Sequence, residues 1–288
     1  MSAVPGVKQS ADGQSAKVNR RDTVIQLRSK LMSGRHVSFL SFLVMFAIWV
    51  VATTPLLGAP MVSPVFLPSP QSVVMTFLKL AQEGYQGKSL LYHYGASMFR
   101  FFSSFIGCVL LGVPIGLMMG MFRIVRAALD PPIEFTRPIP KLALLPLFVV
   151  WFGIGEFSKI FMISFTLFPI ISISAMEAVK SVSLRKIQAA KSLGASDATI
   201  FWRILLPGSL PGIFTGLRVS VGLGVSMLVG AEMVATSSGV AFMALSASDF
   251  LQTNIVLVGV TILAVTGYLL DLLVRVIEKV VVHWSGRE

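Results

Sequence analysis

The sequence predicts an all-α polytopic membrane protein with six transmembrane helices, on three observations. Of 288 residues, 55% are apolar and only 13% are charged, against about 25% charged in an ordinary soluble domain. Mean hydropathy is +0.81, which is more apolar surface than a soluble fold of this length can hide. The 24 Lys and Arg punctuate long uncharged runs instead of massing in one patch, which argues against nucleic acid as a partner.

Residues 1–36 form a polar tail with seven basic residues, Lys8, Lys17, Arg20, Arg21, Arg28, Lys30 and Arg35. It is too long and polar for the n-region of a signal peptide. The first span is Val37 to Leu57, 21 residues without a charge, or about 31 Å of helix against a hydrocarbon core of about 30 Å. Ser69 and Pro70 read as an N-cap and a first-turn proline, and Val73, Val74, Phe77, Leu78 and Ala81 as one apolar face of a helix lying along the membrane surface. The second span is Phe101 to Phe122, bracketed by Arg100 and Arg123. The third, Leu142 to Gly155, is short and contains Pro146, Gly153 and Gly155. Broken spans occur where protein or a wet cavity covers the freed backbone groups, so this one is a pathway candidate, with Pro146 as the gate residue. The fourth, Ile160 to Met176, contains Pro169; the fifth, Pro211 to about Ala235, carries Arg218 and Glu232; the sixth, Ile255 to about Val276, has Asp271 near its end.

Basic residues crowd one side. Besides the tail, the 2–3 connection holds Arg123, Arg126, Arg137 and Lys141, the 4–5 connection Lys180, Arg185, Lys186, Lys191 and Arg203, and the C-terminus Arg275, Lys279 and Arg287. The other side has Lys79, Lys88 and Lys159. The positive-inside rule then puts both termini in the cytoplasm. The predicted organisation is a cytoplasmic tail (1–36), one transmembrane domain (37–283) with a 4–5 loop over 177–210, and a short cytoplasmic C-terminus (284–288).

No catalytic, cofactor or metal site is expected. Cys108 is the only cysteine, and His36, His93 and His283 lie far apart, so neither a disulfide nor a ligand cluster is available. The glycines Gly107, Gly112 and Gly116, with Gly216, Gly222 and Gly224, point to close helix packing. Ionisable residues within spans are costly, by about 2.5 to 3.5 kcal/mol at the helix centre. Arg100 is read as starting the second span and snorkelling outward, Arg218 as reaching inner headgroups or, with Pro146 and Glu232, as a pathway and gate residue, and Asp271 as interfacial. Glu232, near the outer end of the fifth span, is open between anchoring and a gate or docking role.

The 4–5 loop has its own helices. Leu184 to Leu193 is rich in helix formers; Gly194 is placed as a C′ residue; Ser196 caps a second helix that is expected to stop at Pro207. Ala189, Ala190 and Gly194 make a small-residue surface. Gln188-Ala189-Ala190, three residues, Gly194, nine residues, then Ile204-Leu205-Leu206-Pro207 resembles the EAA motif of permease subunits of bacterial ABC importers. Gln188 departs from the motif's Glu. The resemblance extends through Leu67-Pro68-Ser69-Pro70, Arg137-Pro138-Ile139-Pro140, Trp151 to Glu156, Lys191 to Ser196 and Gly230 to Met233, and together these look like the subgroup importing taurine, other alkanesulfonates, nitrate, bicarbonate and some heterocycles.

What the resemblance implies is the type I importer permease fold in a bacterial inner membrane. It implies a pore made with a second copy of this chain, two ATP-hydrolysing subunits inside and a substrate-binding protein outside. Gln188, Ala189, Ala190, Gly194, Ile204, Leu206 and Pro207 would couple to the ATPase. ATP and Mg would be bound by that partner, since this chain has no G-x-x-x-x-G-K-[ST] loop. Taurine or another alkanesulfonate is the implied solute, with nitrate, bicarbonate or another small solute of the subgroup as the alternative. A self-contained ion-coupled transporter would need internal repeats, and none is found; an intramembrane enzyme would need a nucleophile or metal set that the chain lacks.

Overall fold

The computed structural model describes residues 34–54, 61–234 and 236–284; the basic tail before Gly34, the end of the first predicted span and Arg287 lie outside the described residues. The chain divides into two units, Met1–Pro70 and Gln71–Glu288. In the first, α1 (Gly34–Thr53) holds most of the first predicted run. The Trp49 indole N–H donates to the Pro68 carbonyl at 3.0 Å, and the Phe46 ring meets Trp49 edge-on.

Among the described residues of the second unit the elements are helices, with an isolated β-bridge between Tyr85 and Lys88. Its helices are α2 (Pro70–Glu83), α3 (Leu90–Met121), α4 (Arg123–Thr136), α5 (Leu145–Phe152), α6 (Glu156–Lys180), α7 (Leu184–Ser192), α8 (Asp197–Glu232), α9 (Val240–Ser248) and α10 (Thr253–Val281). Four of these, α3, α6, α8 and α10, are long and apolar enough to cross a membrane; α4 and the segment Lys141–Phe152 are so only together, and their bend of 88° makes them a broken span or a re-entrant loop. The apolar part of α1, Phe39–Thr53, is shorter.

Several boundaries differ from expectation, each for a physical reason. The second span starts at Leu90, capped by the Ser89 side chain, which accepts from the Tyr92 N–H. Arg100 is therefore not an end marker but lies a third of the way along α3. The 2–3 connection is helical: α4 is amphipathic, and Ile133 packs with Met119 and Met176. Pro146 does not interrupt a span. It occupies the first turn of α5, where its missing N–H would have no intrahelical partner anyway. The predicted second loop helix does not stop at Pro207. A π-turn, Phe201–Leu205, precedes the proline and α8 runs on to Glu232 as one 36-residue helix. The wider turn accommodates the ring that would otherwise meet the carbonyl four residues back.

α6 is the central helix, packed between α3 and α8. Close approach explains it. On α3, Gly112 faces Ser172 and Ile171, Gly116 lies against the Ser172 carbonyl and Ala175, and Gly120 lies against Val179. On α8, Gly212 meets Ala178 and Gly216 meets Ser174. Any Cβ at Gly116 or Gly216 would overlap its neighbour, so the small-residue stripes set these interhelical distances. Of the other glycines singled out, Gly224 faces Phe101 and Leu167, whereas Gly107 and Gly222 face open space. The broken span is held to α6 by aromatic rings: Phe148 contacts Phe161 and Phe165, and Phe152 contacts Phe157 and Phe161 at centroid distances of 4.7 to 5.6 Å.

Candidate functional site

Two constellations stand at opposite ends of α8. At its N-terminal end, α7 closes in a Schellman motif. The Ala195 N–H donates to the Ala190 carbonyl at 3.0 Å and the Gly194 N–H to the Lys191 carbonyl at 2.9 Å, with Gly194 at φ +78°. The Ser196 hydroxyl then accepts from the Thr199 N–H and caps α8. The bend leaves Gln188, Ala189 and Gly194 exposed and Ala190 half-buried. Ile204, Leu206 and Pro207 are half-buried inside α8, and Ile200 is buried.

The exposed bend also presents bare apolar side chains, Leu184, Leu193 and Trp202, which are 71%, 88% and 65% exposed. A cleft of about 890 Å³ beside it is lined by Ser183, Lys186, Arg203, Pro207 and Trp284. Leu193 at nearly full exposure on a polar loop suits a surface that another protein covers. Periodicity does not single out these three apolar residues, although a leucine and a tryptophan flanked by Lys and Arg are signals of that kind.

At the C-terminal end of α8 lies a buried ionic cluster. Arg100 is fully buried. Its Nε and Nη2 donate to the two oxygens of Glu156 at 2.5 and 2.8 Å, a bidentate pair. Nη1 donates to Glu232 Oε1 and to the Ser238 carbonyl, both at 2.8 Å, and Nη2 also reaches Thr236 and Ser238 hydroxyls at 3.2 Å. Glu232 accepts in addition from the Ser97 hydroxyl at 2.7 Å and the Ala241 N–H at 3.0 Å. His93 receives the Gly239 N–H on Nδ1, so its Nε2–H donates to the Tyr85 carbonyl, each at 3.2 Å. Lys159, also buried, lies 3.7 Å from Glu156.

The cluster thus ties α3, the N-terminus of α6, the end of α8 and the 236–239 strap to one guanidinium. Arg100 does not snorkel. A buried charge persists because every donor is matched. Gly239, at φ +127°, lies so close over the Glu232 carboxylate that a Cβ there would overlap it. Of the predicted pathway residues only Glu232 belongs to this cluster; Glu156, Lys159, Ser97 and His93 are not among them. A signal for two of these does exist in the sequence: His93, Ser97, Arg100 and Ser104 recur at intervals of four, three and four residues, a polar stripe on one face of an apolar helix.

Arg218 belongs to neither constellation. Its Nε donates to Asp271 Oδ1 at 3.2 Å across α8 and α10, and Asp271 is also held by Arg275 at 2.7 Å. Arg218 and Asp271 are therefore partners and not separate interfacial anchors. Pro146 is exposed on α5. The three predicted pathway residues, Pro146, Arg218 and Glu232, do not form a single site. Among the described residues no group of three or more His, Cys, Asp or Glu could hold a metal ion.

Residues 112–283 match the family described as "Binding-protein-dependent transport system inner membrane component". The chain is 45% identical over 239 residues to the taurine transport system permease protein TauC of Escherichia coli (strain K12), covering 83% of this chain and 85% of that protein. It is 33% identical over 280 residues to the putative aliphatic sulfonates transport permease protein SsuC of Bacillus subtilis (strain 168), covering 97% of this chain and 98% of that protein. In fold it resembles a chain of the MetNI methionine ABC transporter in an inward-facing conformation, with a TM-score of 0.55 and 20% identity over 67% of this chain and 95% of that one.

Proposed function

Since the chain belongs to the family of binding-protein-dependent transport system inner membrane components, we propose that the solute it passes is a small alkanesulfonate, taurine first. The chain is an ABC importer permease, a transport subunit of the inner membrane and not an enzyme. The observation that carries the solute assignment is the 45% identity to a taurine permease over 83% of the chain, together with the match to an aliphatic sulfonate permease along 97% of it. Reconstitution with its ATPase subunits and binding protein should give ATP-dependent taurine uptake into vesicles that unlabelled ethanesulfonate competes for and nitrate does not. Uptake of nitrate in preference to taurine would overturn the assignment.

The permease works as a homodimer whose exposed α7 bend, from Gln188 to Gly194, docks in a groove of each ATPase. ATP and Mg are held by that partner. Closure of the ATPase pair pushes on the bend, and α8, about 54 Å long at 1.5 Å per residue, carries the push to the cluster around Arg100 at its far end. Ile204, Leu206 and Pro207 act within the helix that transmits it. Glu232 is the point where that motion reaches the opposite face, and the bend between α4 and α5, with Pro146 in its second limb, is where the pathway opens.

Both termini and the α7 bend face the cytoplasm. Basic residues on the connections at that end support this orientation. Cys108 is buried, so a Cys108→Ser background can carry single exposed cysteines. In intact cells whose outer membrane is permeabilised, a membrane-impermeant thiol reagent should label Ser248→Cys and leave Ser192→Cys unlabelled. The reverse pattern would turn the protein over and remove the docking role of α7 with it.

A further inference from the structure

Between α8, α9 and α10 lies an open cavity of about 550 Å³ that none of the roles above uses. Most of its wall is apolar, formed by residues such as Val225, Val229, Val260 and Ala264, and one end carries Arg218 and Asp271. Arg218, Gly222 and Ser226 follow at intervals of four along α8 and share one face. A Cβ on Gly222 would meet nothing within 4 Å, so open space lies directly over the backbone one turn from the guanidinium.

The hydrogen-bonding capacity of that guanidinium is only partly used. Among the described residues Arg218 makes one hydrogen bond, from Nε to Asp271, and Nη1 forms an ion pair with Glu278 at 4.0 Å, beyond hydrogen-bond distance. The second oxygen of Asp271 is taken by Arg275. Both terminal nitrogens of Arg218 keep their donors, and the side chain is 33% exposed. A planar fork of free N–H groups at the head of an apolar trough suits an oxyanion with a hydrocarbon body. The trough reaches from Arg218 to Ser226, about 12 Å along the helix, so a chain of several carbons can lie flat on the valine and alanine wall.

We propose that this trough is a sulfonate-binding site within the permease, with the sulfonate on Arg218 and the alkyl body along Gly222, Val225 and Ser226. It rests on the alkanesulfonate assignment above and adds to it a place where the solute is held inside the membrane part. An anionic phospholipid could offer the same head and tail, and the test separates the two.

The intact assembly with its ATPase subunits is placed in nanodiscs of zwitterionic lipid without binding protein, carrying Cys108→Ser and Ser226→Cys. Hexanesulfonate at ten times its half-effective concentration should slow thiol modification at position 226 about tenfold, and hexylammonium should not. Adding Arg218→Gln or Gly222→Leu should abolish the protection. Equal slowing with Arg218→Gln, or no slowing with Arg218 intact, overturns the site. So does slowing that appears only when anionic phospholipid replaces zwitterionic lipid, with hexanesulfonate adding nothing. Sulfonate uptake by the wild-type assembly is measured in parallel. Absent protection with uptake intact overturns the site alone, whereas absent uptake overturns the alkanesulfonate assignment beneath it.

Discussion

A Gly194→Val protein should insert and dimerise normally yet lose most of the ATP hydrolysis that the loaded binding protein stimulates. A Cβ at this position meets nothing within 4 Å, so the effect is not a clash. It comes from φ. At +78° a β-branched residue is disfavoured by about 1 to 2 kcal/mol, and α7, nine residues long, is too short to hold its shape alone. A shift of that size lowers the docking-competent population about 5- to 30-fold. Gly194→Asn, which tolerates the left-handed region, should lose less, and Gln188→Glu should be tolerated because Gln188 is exposed. The measurement is stimulated ATP turnover of the reconstituted assembly with co-purification of the ATPase. Turnover and co-purification equal to wild type would exclude docking through this bend.

The largest loss of stability should come from Arg100→Met. Removing the guanidinium strands the Glu232 carboxylate, fully buried, with only the Ser97 hydroxyl and the Ala241 N–H. Breaking a buried pair on one side costs about 3 to 5 kcal/mol. Arg100→Met/Glu232→Gln should recover a good part of this, because the orphaned charge goes too. Glu156→Gln should cost much less, since that side chain is 47% exposed and water can replace its partner. Arg100→Lys should resemble Arg100→Met more than wild type, because an ammonium cannot serve Glu156 bidentately while also reaching Glu232 and Ser238. Thermal unfolding of the purified permease in detergent ranks the four. A ranking in which Arg100→Met is no worse than Glu156→Gln would mean that the cluster does not hold this end of the bundle together.

Much of the fold and of the bend at α7 is legible in the amino-acid sequence alone. Long uncharged runs announce helices whatever their packing, which locates α3, α6, α8 and α10, and Gly194 with Ser196 marks a C′ residue and an N-cap because those roles depend on local backbone alone. Sequence misleads where a residue's meaning depends on distant partners. Arg100 reads as a boundary because a lone charge in an apolar run is costly; the carboxylates that cancel it come from residues 56 and 132 positions away. Pro207 reads as a stop because the π-turn that makes room for it has no sequence signal. α9 goes unseen because nine mostly apolar residues, five of them buried, carry no polar face for periodicity to detect.

The π-turn before Pro207 has a further consequence that is angular. Each residue of an α-helix turns the chain by about 100°, and the turn over Phe201–Leu205 holds a residue in excess of the regular count. The number of residues between Ser196 and Gly212, and not only their identity, therefore sets the compass bearing of the α7 bend about the axis of α8. Changing that number by one would leave the membrane part of α8 in register with α6, through Gly212 against Ala178 and Gly216 against Ser174, while swinging Ala189, Ala190 and Leu193 about a quarter-turn away. The stretch from 197 to 211 fixes the direction in which the permease points its bend.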